Sequence, residues 1–239
     1  MDNLKVRLAV MKMVDRFFDA QVTDAQLNLE RQKKALEIDL MIFVNICRSL
    51  EQEQAVQMLE QINAYLDEAI SPSAYDSISA LNRRKYFFVR QMDLDSLVQL
   101  IEYKQDYYSA PVEERDGRFF VQTPPALFGA QEQEITRELT VLGPRKYINN
   151  IAIDGGQIDI FAHLYIARVN IRDVSEQQVQ AFLYNPCTGA QLPLPTEKIE
   201  NSDLTDIRGT VFNSKTGVKT HYNYDGTGIK MTLSLEQVL

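Results

Sequence analysis

The sequence predicts an α+β protein, an N-terminal helical bundle followed by an antiparallel β-sandwich or barrel. Three observations carry this. All ten glycines lie at or after Gly117, and seven of the eight prolines lie at or after Pro111, leaving only Pro72 upstream. Glycine and proline cost a helix interior about 1 and 3 kcal/mol per residue, whereas β structure uses them in its turns. The residues before this change repeat apolar side chains at spacings of three and four, and many after it alternate. Finally, Tyr147–Arg172 holds two alternating apolar runs around Asp154-Gly155-Gly156, whose Asp-Gly and Gly-Gly pairs supply the positive φ of a tight hairpin. The division falls near Ser109-Ala110-Pro111, giving a helical domain over 1–110 and an antiparallel β domain over 111–239.

In the first part, residues 2–22 place Leu4, Leu8, Met11, Phe18 and Val22 on one helical stripe. A second stripe of Val6, Val10, Met13 and Phe17 widens it, which predicts burial over much of the circumference. Thr23 and Gln26 have capping-box spacing and start a second helix reaching Leu50; Ser49 and Gln52 repeat that spacing. A third helix through Ile70 carries Val56, Leu59, Ile62 and Leu66, and Ser71-Pro72 reads as an N-cap before a short helix. Arg83–Met92 reads equally as helix or strand. A last helix starts at Asp93, with Leu94, Leu97, Val98 and Ile101 at helical spacing.

The second part predicts strands over 118–122, 135–142, 146–153, 157–171, 179–184, 190–194, 207–213, 218–224 and 229–235, separated by turn signals such as Asn185-Pro186 and Asp225-Gly226. The central hairpin places Ile158, Ile160, Leu164 and Ile166 in the core.

With 25 basic and 33 acidic residues the net charge is −8. It is spread evenly, which argues against nucleic acid and anionic membrane as partners. The N-terminus lacks a signal-peptide pattern and no run is long enough to span a bilayer, so a cytoplasmic, reducing location is expected, including membership of an assembled particle. Cys47 and Cys187 do not suggest a disulfide framework.

Motifs for chemistry are sparse. No phosphate-binding glycine loop or nucleophile elbow occurs, and Gly226-Thr227-Gly228 reads as a hairpin turn. His163 and His221 are the only histidines, and neither has ligand spacing. Asp154, Asp159, His163 and His221, or Cys187 with a histidine, form the residue set of a hypothetical small hydrolase. Arg83, Arg84, Lys85 and Arg90, interleaved with Tyr86, Phe87 and Phe88, form the one basic and aromatic cluster and the candidate partner-binding residues. Tyr147, Tyr165, Tyr184, Tyr222 and Tyr224 are candidate carbohydrate platforms, although tryptophan is absent.

The expectation is therefore a non-catalytic interaction or assembly protein without cofactor or metal. Its helical domain would self-associate or dock on a larger complex such as a virion or secretion machine, and its β domain would be a rigid binding module. The alternatives are a carbohydrate-binding or other ligand-binding β module, and the small hydrolase.

Overall fold

The computed structural model describes residues 2–234; Leu235, the end of the last expected strand, lies outside them. Helix α1 (Asp2–Gln21) is followed by α2 (Ala25–Lys34). The cap of α2 is Asp24 and not Thr23. Its carboxylate accepts from the backbone N–H groups of Gln26 at 2.8 Å and Leu27 at 3.2 Å, placing negative charge at the positive end of the helix. The single helix expected to Leu50 is divided into a π turn (Ala35–Asp39), α3 (Met41–Ile46) and a 3-10 turn (Cys47–Ser49). Helix α4 (Gln52–Ala69) starts after Glu51, so Ser49 is not its cap. Ser71 does precede α5 (Pro72–Asp76). Arg83–Met92 resolves as helix within α6 (Ala80–Gln91): the Ser79 hydroxyl accepts from Asn82 N–H at 3.2 Å, and Met92 ends the helix at φ 55°. Asp93 caps α7 (Leu94–Glu102), and α8 (Lys104–Ser109) follows.

Next come β1 (Val112–Arg115), β2 (Arg118–Gln122), α9 (Pro125–Phe128), β3 (Glu132–Glu134) and α10 (Thr136–Leu142). The strand expected over 135–142 is thus a helix. Ile135 and Leu139 are buried while Arg137 between them, which would share their face in a strand, is exposed, as on a helix. Strands β4 (Arg145–Asp154) and β5 (Gln157–Tyr165) form the central hairpin, with Gly155 and Gly156 at φ 53° and 83° in its turn. Strand β5 stops short of Ile171, and Arg168 at φ 71° redirects the chain. The remaining elements are β6 (Ala181–Tyr184), β7 (Gln191–Leu194), β8 (Thr196–Ile199), α11 (Asp203–Arg208), β9 (Thr210–Phe212), β10 (Lys219–His221) and β11 (Gly228–Ser234). The first two residues of the strand expected over 207–213 are therefore the end of α11, and β8 is an unexpected strand. A four-stranded sheet has the order β4-β5-β11-β8, with each neighbouring pair antiparallel, and β6-β7 and β9-β10 are separate antiparallel pairs. The fold is mixed helix and antiparallel sheet. Among the described residues no sheet closes into a barrel, and no helix is long and apolar enough to cross a membrane.

Contacts divide the chain into two units. The first runs up to Tyr108 and resumes over Val121–Glu138; the second takes Ser109–Phe120 and the chain from Leu139 onward. The first unit buries Leu36, Leu59, Ile62, Leu66, Leu81 and Leu97 completely. Tyr86 lies among them, its hydroxyl donating to the Leu36 carbonyl at 2.6 Å so that the buried group is satisfied. In the second unit Tyr165, Leu204, Tyr222 and Tyr224 form a buried cluster. The expected core positions Ile158, Ile160, Leu164 and Ile166 are only half-buried, and on β5 the buried residues are Ala162, His163 and Tyr165. Buried residues of β5 lie toward its C-terminal end, whereas opposite its N-terminal half Ile151 and Ile153 of β4 are exposed.

Candidate interaction surface

Helix α1 has two apolar faces. Leu4, Leu8 and Met11 are buried. At 100° per residue, Val6, Val10, Met13 and Phe17 project nearly opposite to them, and they are 64, 50, 69 and 60 % exposed. The expectation that this second stripe is buried is overturned. Its spacing of four, three and four is the heptad seam of a helix pair, and it extends along roughly 16 Å of axis. Four large apolar side chains in a row are more than the scattered exposure that soluble surfaces tolerate without consequence.

Beside the stripe a cavity of about 400 Å³ opens between α1 and α2. Val10, Met11, Val14, Phe18, Leu27 and Ala35 form its apolar lining. Val10, Val14 and Leu27 are themselves exposed, so stripe and cavity share their rim. Apart from exposed Glu30, whose carboxylate accepts from Gln26 Nε2 at 3.1 Å, the charged groups of the lining form ion pairs. Arg31 and Asp15 form an ion pair with both side chains largely buried, and the Tyr65 hydroxyl donates to Asp15 at 2.9 Å. Burial pushes the Tyr65 phenol up to about 12, with Arg31 opposing. Asp39 binds Arg7 and, at 2.9 Å, Lys34. Paired charges leave a groove that is apolar in effect and suited to apolar side chains. On one flank of the stripe stand Lys5 and Arg16, neither in an ion pair among the described residues.

The residues nominated by the sequence do not assemble into this or any other single site. Arg83 reaches Asp76 at 3.5 Å and Arg90 pairs with Asp67. Arg84 lies over Phe87 and Phe88 and donates to the Leu127 carbonyl. Lys85 is 1 % exposed, its ammonium donating to Asn45 Oδ1 at 2.8 Å. Arg83 and Arg90, seven residues apart, share one face of α6, but Arg84 and Lys85 project about 100° and 200° away from it, so the winding of the helix breaks up the cluster. The hydrolase set is dispersed too. Asp159 accepts from Thr232 at 2.6 Å and pairs with Lys230 at 3.0 Å. His221 contacts Thr210 at 3.0 Å, Asp154 lies exposed at the hairpin turn, and Cys187 is exposed. Cys47 is buried, its thiol pushed up to about 11 by that burial. Among the described residues no group of three or more metal-ligating side chains converges. Of the tyrosine platforms, Tyr165, Tyr222 and Tyr224 are buried in the core cluster, which leaves Tyr184 well exposed and Tyr147 half-buried. The α1 stripe lay in the sequence in full view; what hid it was the assumption that an apolar stripe faces inward.

No protein-family model and no curated protein matches the sequence. Among solved structures, the chain is similar to a crystal structure of S. aureus TarS 217–571, at TM-score 0.36 and 12 % identity over 99 % of this chain and 56 % of that one. It is also similar to a crystal structure of S. aureus TarS, at TM-score 0.40 and 12 % identity over 97 % and 35 %. The chain thus spans about half or a third of the TarS chains it matches. The expectation of a non-catalytic protein is not upheld by these likenesses, and missing motifs are no ground for calling this chain a non-enzyme. Likeness at this level assigns no activity to it.

Proposed function

We propose that this chain is a protein-interaction module, in which the α1 stripe and the adjoining groove receive an amphipathic helix of a protein partner. The observation that supports it is the coincidence of an exposed heptad seam with the rim of an apolar cavity. Lys5 and Arg16 beside the seam favour an occupant with carboxylates flanking its apolar positions. In this reading the helical unit is a bundle that serves assembly and the β unit is a rigid module attached to it. A photo-crosslinker at Met13 in the full chain, with light scattering, tests the reading. Crosslinks to a helical segment of a partner, abolished by Phe17→Glu, are expected. A chain that stays monomeric and yields no crosslinked product in its native host would end it.

A second reading rests on β6, where Phe182 and Tyr184, two residues apart on one face of the strand, are 48 and 56 % exposed. Adjacent exposed rings supply a stacking platform for sugar rings. A glycan array on which Phe182→Ala and Tyr184→Ala bind like the parent chain, or on which nothing binds, would remove it.

A further inference from the structure

The four-stranded sheet of the second unit ends in two unlike edges. The β8 edge is only four residues long and begins directly after Pro195. The β4 edge is ten residues long, contains no proline, and has eight of its ten residues exposed. Among the described residues its outer side pairs with no strand.

The side chains of β4 are ordered along this edge. Ile148, Ile151 and Ile153 lie opposite Ala162, Ile160 and Ile158 of β5, so all three occupy one face. Ile148 and Ile151 share that face although three residues apart because the register shifts by one residue between Ile148 and Asn150. Arg145 and Lys146 stand at one end of the strand and Asp154 at the other, with no charge between them. A long edge with an apolar centre is a template for pairing with another strand. Its charges decide which strand. In an antiparallel pair of identical strands, Arg145 of one copy meets Asp154 of the other at both ends, on the face opposite the isoleucines. Ile148 and Ile151 then meet across the pair on their own face. A parallel copy would set like charges against each other.

We infer that β4 pairs antiparallel with β4 of a second copy of this chain, joining two sheets across a two-fold axis. Self-complementary charge is what an isologous contact requires. The inference does not depend on what α1 binds, since it concerns strand residues of the other unit.

The test uses the full chain with Phe17→Glu as background, so that association through α1 does not register, and sedimentation equilibrium as readout. A dimer is expected. Asp154→Lys, or Arg145→Glu, is expected to raise the dissociation constant about tenfold through the doubled charge contacts, and combining the two is expected to restore it. Both side chains are exposed, so circular dichroism should report an unchanged fold. A monomer at every concentration up to about 1 mM, or a dimer indifferent to the reversals, or reversals whose combination fails to restore pairing, would overturn the inference.

Discussion

Thr227 settles the protonation of His163. Its hydroxyl donates to the Tyr224 carbonyl at 2.6 Å, so toward His163 Nδ1, at 2.8 Å, it accepts. The ring therefore carries its proton on Nδ1, and Nε2 accepts from Asn149 Nδ2 at 3.3 Å, whose other N–H goes to Asp203 at 2.9 Å. A protonated ring would set two donors against each other. Burial holds the imidazole below its ordinary value, with Asp203 partly opposing. The unfolded chain then takes up this proton before the folded one, so stability is full above about pH 6.5, is lost as pH falls below it, and levels off only beneath the folded value. Urea unfolding between pH 5 and 8 should show this slope, and His163→Gln should flatten it. Lys85 gives the companion case: burial, with Lys104 and Arg48, pushes its ammonium down to about 8. At neutral pH it is a buried charge with no carboxylate paired to it among the described residues. Lys85→Met should therefore stabilise the chain at pH 7, by about 1 kcal/mol after loss of the Asn45 contact. That advantage should shrink as pH rises from about 8 to 10.5, where the parent lysine is neutral when folded. Chemical denaturation at pH 7 and 10 measures both. The alternation of β5 places His163 opposite Ala162 and Leu164 in sequence; that Ala162 and His163 are both buried there depends on α11 and the Tyr222–Tyr224 segment, far along the chain.

At the scale of the element, α1 shows how far periodicity reaches. Both of its apolar stripes are visible in the sequence, and nothing in the spacing says which one the rest of the chain covers. The structure makes them distinguishable by mutation. Phe17→Glu, on the exposed stripe, should leave the melting temperature within a few degrees of the parent. Leu8→Glu, on the buried one, should cost several kcal/mol because it buries an unpaired charge. Equal melting temperatures would mean that the faces are misassigned. Helix starts were readable to within a residue at Asp24, Ser71 and Asp93, where a capping side chain or a proline marks the first turn, but not at Ser79, which caps α6. Asp24→Ala should cost about 1 kcal/mol, read by thermal or urea unfolding. The π turn over Ala35–Asp39 has no such signal, nor does α10, whose short mixture of Thr, Val and Leu suits either period.

For the molecule as a whole, the point where glycine and proline begin is not where the contacts divide. Composition changes near Pro111, yet Val121–Glu138 clusters with the helices that precede it. The reason lies in a few large side chains. Phe128 stacks on the fully buried Tyr107 at 5.8 Å and 8° and meets the edge of Tyr103 at 6.1 Å. Val121, Leu127 and Ile135 are buried with it. The Glu138 carboxylate accepts from the backbone N–H of Ala80 at 3.3 Å and from the Tyr107 hydroxyl at 3.4 Å. Composition records which residues make turns, but not that a turn-rich segment returns to fill the helical core. A fragment ending at Ala110 would expose Tyr107 and leave the Ala80 end of α6 without its carboxylate. Losing Phe128 alone removes on the order of 3–5 kcal/mol, a large part of what a domain of this size holds in reserve. A fragment ending at Glu138 retains all of these contacts. The shorter fragment should bind ANS and melt broadly, and the longer one should melt cooperatively; calorimetry on the two would show whether the returning segment completes the helical unit.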